Sequence, residues 1–219
     1  KKDNLGKGWV IGETLITGIG QGYMQTTPLQ LCLMTAQLAN GGYKIYPKIV
    51  VNENDETYEE TKAFIKKNYN IKKELKDDLV ESSEGLFSFI KDKKHEALYE
   101  NIENIKIIQE AMFASTNEVR GTSYASRIED PKYQFAGKTG TSQVKRITEA
   151  QRELDLNTSE IPYDERDHAL YIAFGPYKKP RYALSIVIEH GGSGSSTAAP
   201  LAKKLFKLII DRHELREKV

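Results

Sequence analysis

The last third of the chain restricts the fold more than any other stretch. Three runs follow one another that read as β-strands, Tyr133 to Val144, Ala169 to Phe174 and Arg181 to Glu189, the last rich in Val, Ile and Leu. Gly175-Pro176 stops the second run, and Tyr177-Lys178-Lys179-Pro180 turns the chain into the third. Three strands in succession without intervening helices imply an antiparallel meander. Between the first and second runs lies a long polar connection, Arg146 to Glu165, of a length that suggests a functional loop. Gly191 to Ser196 reads as a flexible turn, and a helix from Thr197 to about Arg212 closes the chain. Leu201, Leu205, Leu208 and Ile209 repeat at helical spacing and are the expected buried stripe of that helix. A helix packed across a meander gives an α+β layer arrangement.

Upstream, residues 1 to 24 are glycine-rich, and a helix follows with Thr27 as N-cap and Pro28 at its first position. Leu31, Met34 and Leu38, with Leu29, Ala36 and Ala39 beside them, form its expected apolar face, and Asn40-Gly41-Gly42 ends it. Tyr43 to Val51 is expected as a strand interrupted by Pro47. Residues 52–100 are rich in Lys, Glu, Asp and Asn, and read as a solvated surface insertion of short amphipathic helices. Ile102, Ile105, Ile108 and Met112 restore helical spacing from Asn101 to about Ser115, ahead of a loop from Asn117 to Pro131 that holds Gly121-Thr122-Ser123.

Composition narrows the function. Lys+Arg (32) and Asp+Glu (31) nearly cancel, which argues against the one-sided basic face of a nucleic-acid-binding domain. A single cysteine, Cys32, allows no internal disulfide, and its place in an apolar helix makes it a core residue. No apolar run reaches the roughly 18 to 20 residues that span a bilayer. Lys1-Lys2-Asp3-Asn4 is neither a methionine start nor a signal peptide, which leaves a processed product and a fragment both open. The four histidines have no metal-ligand spacing and Gly18-x-Gly20 lacks the third glycine of a dinucleotide fingerprint, so no metal and no cofactor is expected.

The chemistry-bearing motif is Gly137-Lys138-Thr139-Gly140-Thr141, inside the first strand. Glycine weakens a strand interior unless something approaches the backbone closely. A lysine between two glycines, with two threonine hydroxyls, offers a cation, two donors and open main-chain N–H groups for an anion. The plainer alternative is a solvated edge strand with a bulge. Three further runs accompany the motif. They are Gly18-Ile19-Gly20-Gln21-Gly22-Tyr23, then Thr26-Thr27-Pro28-Leu29-Gln30-Leu31, then Ala39-Asn40-Gly41-Gly42. Downstream stand Asp167-His168-Ala169, Ala173-Phe174-Gly175-Pro176-Tyr177 and Ile188-Glu189-His190-Gly191-Gly192.

Together these runs resemble the C-terminal part of the transpeptidase domain in class B penicillin-binding proteins, with Lys-Thr-Gly as the third signature of that serine acyl-transferase family. The segment Trp9 to Glu13 favours the elongation branch over the division branch. The resemblance implies an antiparallel sheet flanked by helices. It implies a D,D-transpeptidase that acylates a serine with a donor stem peptide, releases D-alanine and passes the acyl group to an acceptor amine. Lys138 would interact with the second signature's hydroxyl, and Thr139 and Thr141 would bind the terminal carboxylate of a D-Ala-D-Ala stem peptide or a β-lactam antibiotic. The Thr141 N–H would form half an oxyanion hole, worth on the order of 3 kcal/mol in the barrier, and Gly140 would keep the edge clear for a peptide added as a strand. Implied partners are peptidoglycan stem peptides, β-lactams, a membrane glycan polymerase and other elongation-complex proteins. The implied location is the periplasmic side of an inner-membrane anchor.

The nucleophile is a separate matter. Ser88-Phe89-Ile90-Lys91, Ser142-Gln143-Val144-Lys145 and Ser115-Thr116-Asn117 formally fit Ser-x-x-Lys and Ser-x-Asn. In the family both signatures precede the glycine-glutamine run, so these three are expected to be chance and the true nucleophile is expected before residue 1. Two rivals stand beside this reading: a β-lactamase or β-lactam sensor of the same fold, and a non-catalytic remnant that binds cell-wall peptide.

Overall fold

The computed structural model describes residues 6–22, 25–47, 96–145 and 160–217, with side chains placed to residue 212. Its centre is a meander of β1 (Ala136–Ser142), β2 (His168–Gly175) and β3 (Tyr182–Ile188). The order is β1-β2-β3, antiparallel throughout, with Thr139 opposite Tyr171 and Tyr171 opposite Ile186. The expected strands are therefore present, with the first shorter than the run Tyr133 to Val144.

Because side chains alternate across a strand, β2 feeds two cores. Ala169, Tyr171 and Ala173 join Phe135, Ile128 and Leu184 against Ala198, Ala199, Ala202 and Phe206. Phe174 and Ile172 join Ala136 and Ala183 on the other side, against Met112, Phe113, Leu38 and Ala39. The first core faces α4 (Ala199–Glu217), and the second faces α2 (Pro28–Ala39) and α3 (Ile102–Asn117). A sheet covered by helices on both faces is α+β, as expected.

The stripe on α4 is a correction. Leu201, Leu205 and Leu208 are 37%, 40% and 66% exposed, Ile209 is half-buried, and the inward positions are Ala199, Ala202, Phe206 and Ile210. Both series have helical period. Alanines let the helix approach the sheet, and Phe206 then stacks on Phe135 at 4.8 Å with Gly175 beneath it, where a Cβ would come within 3.1 Å of the Phe206 ring. The leucines are too bulky for that approach.

On α2, Thr27 accepts from the Gln30 N–H and Gln30 answers at the Thr27 N–H, a reciprocal cap. Its expected face is only half-covered: Leu31 and Leu38 are half-buried, Leu29 and Met34 are exposed, and Thr35 is the buried side chain, donating to Leu31 O at 2.7 Å. On α3, Ile105 and Met112 are buried as the spacing predicts, but Gln109 and Thr116 take the other inward places and Ile108 is exposed. Gln109 reaches Leu38 O at the end of α2, which satisfies both polar groups.

The strand expected from Tyr43 to Val51 reduces, among the described residues, to one antiparallel bridge between Tyr43 and Ala97. Lys44 N–H donates to Glu96 O and Leu98 N–H to Gly42 O, both at 2.9 Å. The Tyr43 and Tyr99 hydroxyls meet at 3.0 Å and Lys44 pairs with Glu96 at 2.6 Å. These contacts close a neck where the charged stretch leaves and rejoins the domain. Most of that stretch lies outside the described residues, as does 146–159 of the polar connection. The glycine-rich start contains a helix that the glycines concealed, α1 (Ile11–Gly18). Gly191 to Ser196 is tied rather than loose: Thr197 donates to Gly191 O at 2.8 Å, and a turn of π-helix runs from Gly194 to Ala198.

Candidate active-site edge

β1 lies at the margin of the described sheet, and its two halves differ. Ala136 and Gly137 are buried, Thr139 and Gly140 are half-buried, and Lys138 and Thr141 are exposed. By alternation Gly137, Thr139 and Thr141 share a face with Tyr171, while Lys138 and Gly140 share the other. The five motif residues thus end on an accessible edge, with both threonines on one side. Lys138 Nζ curls along it and donates to Thr139 O at 2.8 Å.

The two glycines of the motif do different things. A Cβ on Gly137 would meet Tyr171 Oη at 2.3 Å, so this glycine makes room for the tyrosine to reach across β1. A Cβ on Gly140 would meet only Leu170 Cβ, at 3.3 Å. Gly194 is the tighter site there, since its Cβ would come within 2.5 Å of Gly140 O and 2.4 Å of Leu170 O.

The turn after α3 delivers hydroxyls to this strand. Gly121 lies so close over the last turn of α3 that a Cβ would meet Ser115 O at 2.3 Å. Ser123 N–H donates to Ser115 O at 3.0 Å, which folds the loop back. Thr122 then faces outward and Ser123 inward. Thr122 Oγ1 lies 3.2 Å from Thr139 Oγ1 and 3.3 Å from Ser115 Oγ. Inside, Tyr171 Oη lies 3.0 Å from both Ser123 Oγ and Thr116 Oγ1. Burial pushes the Tyr171 hydroxyl above the usual tyrosine range, against the two hydroxyl contacts that favour ionisation. In the sequence Gly121-Thr122-Ser123 reads as part of a loop, with Gly121-Thr122 shared with the family and no role assigned to it. Its one legible signal was a glycine directly before two hydroxyl residues.

The decoy signatures separate. Ser88 lies outside the described residues. Asn117 is pinned by Nδ2 to Phe113 O at 3.0 Å and Phe135 O at 2.9 Å, and Thr116 is buried, so Ser115-Thr116-Asn117 is the end of a packed helix. Lys145 pairs with Glu165 at 2.8 Å, so it does not serve Ser142 as a base.

Beside Ser142, at the same end of the sheet, sits a knot that sequence spacing did not anticipate. His190 N–H donates to His168 Nδ1 at 3.0 Å and the two rings meet edge-on at 4.9 Å. His190 Nδ1 lies 3.1 Å from Arg166 O, while Asp167 accepts from Val144 N–H through Oδ1 and from Gly192 N–H through its carbonyl. His190 has φ 54, a conformation that costs a non-glycine residue about 1 kcal/mol or more. The signal was there in the hairpin: Ala169 opposite Ile188 brings the two histidines together. Among the described residues no cluster of three or more His, Cys, Asp or Glu could hold a metal, and no helix is long and apolar enough to cross a membrane. Cys32 is half-buried, its Sγ 3.5 Å from Ala183 O, and burial raises its pKa, in keeping with a packing role.

Shape alone would point elsewhere. A cleft lined by Pro131, Lys132, Pro176, Lys179 and Tyr182 lies at the opposite end of β2 from Thr141. The motif lies on the margin of the described sheet.

Comparison with known proteins supplies the family. The model of the penicillin binding protein transpeptidase domain matches residues 1–207. Peptidoglycan D,D-transpeptidase MrdA of Salmonella typhimurium (strain SL1344) is 32% identical over 205 residues, covering 94% of this chain and 28% of that protein. The fold matches penicillin-binding protein 2 of Helicobacter pylori, solved in complex with MreC, with a TM-score of 0.62 and 26% identity, over 98% of this chain and 30% of that one. Pseudomonas aeruginosa penicillin-binding protein 2 in complex with WCK 5153 gives a TM-score of 0.57 and 29% identity, over 93% of this chain and 33% of that one. The chain thus spans about a third or less of the length of each of these relatives. It belongs to the penicillin-binding protein transpeptidase domain family, and its likeness is to the members named MrdA and penicillin-binding protein 2.

Proposed function

We propose that residues 1–219 are the C-terminal part of one transpeptidase domain, with a surface insertion at about 52–100, in a peptidoglycan D,D-transpeptidase of cell elongation. The observation that carries this reading is the edge of β1. Lys138 is exposed, Thr139 and Thr141 share a face, and Gly140 between them adds no side chain. Thr139 and Thr141 hydroxyls donate to the terminal carboxylate of a D-Ala-D-Ala stem peptide, or of the β-lactam that mimics it. Lys138 adds positive potential, which counts for more as a bound acyl group excludes water. The Thr141 N–H donates to the carbonyl oxygen as negative charge develops on it, and the donor peptide lies along the edge as an added strand.

The acyl-accepting serine is none of Ser88, Ser115 and Ser142. The packed Asn117 and the Lys145–Glu165 pair support this for the last two, and the family order of signatures supports it for the first. The isolated chain is then inactive. By likeness to penicillin-binding protein 2, solved in one case with MreC, the intact protein works with elongation-complex partners, including a glycan polymerase. It stands on the periplasmic side of an inner-membrane anchor.

The test is acylation of the intact protein by benzylpenicillin, followed by intact mass and peptide mapping. One adduct per protein is expected, on a serine outside these 219 residues, and Lys138→Ala is expected to slow its formation at least about tenfold. Absence of any adduct would defeat the activity. An adduct that disappears in Ser88→Ala would defeat the assignment of the nucleophile.

A further inference from the structure

We infer that Thr122 is a positioning residue for the carboxylate-binding edge, acting through Thr139. The inference rests on the transpeptidase reading above and adds to it a residue outside the Lys-Thr-Gly signature.

The argument begins with what a threonine hydroxyl can do. Thr139 Oγ1 has one hydrogen to donate and can accept two. To bind an anion it must spend that hydrogen on the ligand, so any neighbour must donate to it. Thr122 Oγ1, 3.2 Å away, is placed to do so, and Ser115 Oγ, 3.3 Å behind it, can donate to Thr122 in turn. A carboxylate at Thr139 orients the row Ser115→Thr122→Thr139→anion, and each hydroxyl that accepts becomes a better donor. Without the row, Thr139 is held on one side only by its strand, and its rotamer is free to turn from the ligand.

The local chain is shaped for this contact. Gly121 folds over Ser115 O at a distance no Cβ tolerates, and the Ser123 bond to the same carbonyl fixes the next residue. Thr122, between two anchored residues, has its backbone fixed from both sides. Its side chain is exposed, so fold stability does not explain its hydroxyl.

The experiment compares wild-type intact protein with Thr122→Val and Thr122→Ser, after thermal melts show that each is folded. The readout is the second-order rate constant of acylation by benzylpenicillin and by its methyl ester, which lacks the carboxylate charge. Thr122→Val is expected to slow the acid about three- to tenfold, the worth of one net hydrogen bond, while changing the ester less than about twofold. Thr122→Ser, which keeps the hydroxyl, is expected to restore the acid rate. An unchanged acid rate in Thr122→Val would overturn the inference. So would an equal loss for acid and ester, which would mean a merely structural residue. A wild-type protein that takes no adduct from either compound would sink the transpeptidase reading itself, and the inference with it.

Discussion

Two rows of hydroxyls lie side by side at the end of α3, each built from the same two stretches of chain and one strand residue, and they differ in burial. Ser115, Thr122 and Thr139 form the outer row, while Thr116, Ser123 and Tyr171 form the inner one. Each stretch gives one residue to each row. The inner row is buried, so every hydroxyl must find a partner there, and Thr116 and Ser123 each also reach a backbone carbonyl, Met112 O and Ser115 O. The outer row meets water, so it adds little to stability and its geometry is available to a ligand. The same residue type thus meets a structural demand where it is buried beneath Gly137 and is open to a ligand where it reaches the more accessible part of the same face at Thr139. Burial decides which.

Breaking the anchors of this comparison should have the largest effect. Gly121→Ala drives a Cβ into Ser115 O and Gly137→Ala drives one into Tyr171. Backbone at the first site cannot give way, so a loss at or above the upper end of about 1–3 kcal/mol is expected for Gly121→Ala, read from thermal or urea melts of the intact protein. Gly137→Ala should cost somewhat less, because a side chain can shift. An unaffected melt for Gly121→Ala would mean the turn does not hold both rows.

Next is Tyr171→Phe, which keeps the ring and removes the hydroxyl that Thr116 and Ser123 share, while each keeps the other and a backbone carbonyl as partners. It should cost about 0.5–1.5 kcal/mol, the net worth of one hydrogen bond, with little change in acylation of the folded fraction. Its pH dependence is a sharper check. The folded Tyr171 pKa lies above its unfolded value, so the folded state keeps a proton that the unfolded state gives up. That contribution is intact below about pH 10, the unfolded tyrosine pKa, and is lost as pH rises from there through the folded pKa. The wild type should therefore lose stability on the alkaline side more steeply than Tyr171→Phe. Parallel curves would contradict a buried neutral tyrosine. The outer row offers the contrast, where Thr122→Val should shift the melt by less than about 0.5 kcal/mol while altering acylation.

The smallest expected effect concerns the neck. Tyr43–Ala97 pairing, the tyrosine contact and the Lys44–Glu96 pair close the base of the charged stretch. Joining residue 45 to residue 96 through an Asn-Gly turn should leave the acylation rate within about twofold. A large loss would show that the insertion reaches the site.

Much of this was legible in the sequence, for reasons that can be named. The three strands were visible because no helical pattern interrupts them, and the motif because glycines do not belong in a strand without cause. The α4 stripe misled because two helical series, Leu201-Leu205-Leu208 and Ala199-Ala202-Phe206-Ile210, share one period. Hydrophobicity favours the first, but the close approach over Gly175 and Phe135 selects the second. The histidine knot joins residues 22 apart and is readable only once the hairpin register is drawn. The hydroxyl rows were hidden because serine and threonine are common, and only Gly121 and Gly137 mark where they must converge.

The central claim is that the Thr139–Thr141 edge of β1 recognises a carboxylate. The most direct measurement is the ratio of acylation rates for benzylpenicillin and its methyl ester, in wild-type intact protein and in Thr141→Val. The account predicts that the wild type favours the acid and that Thr141→Val loses at least about threefold of this preference, the size of one hydrogen bond to a charge. A ratio left unchanged in Thr141→Val would contradict it.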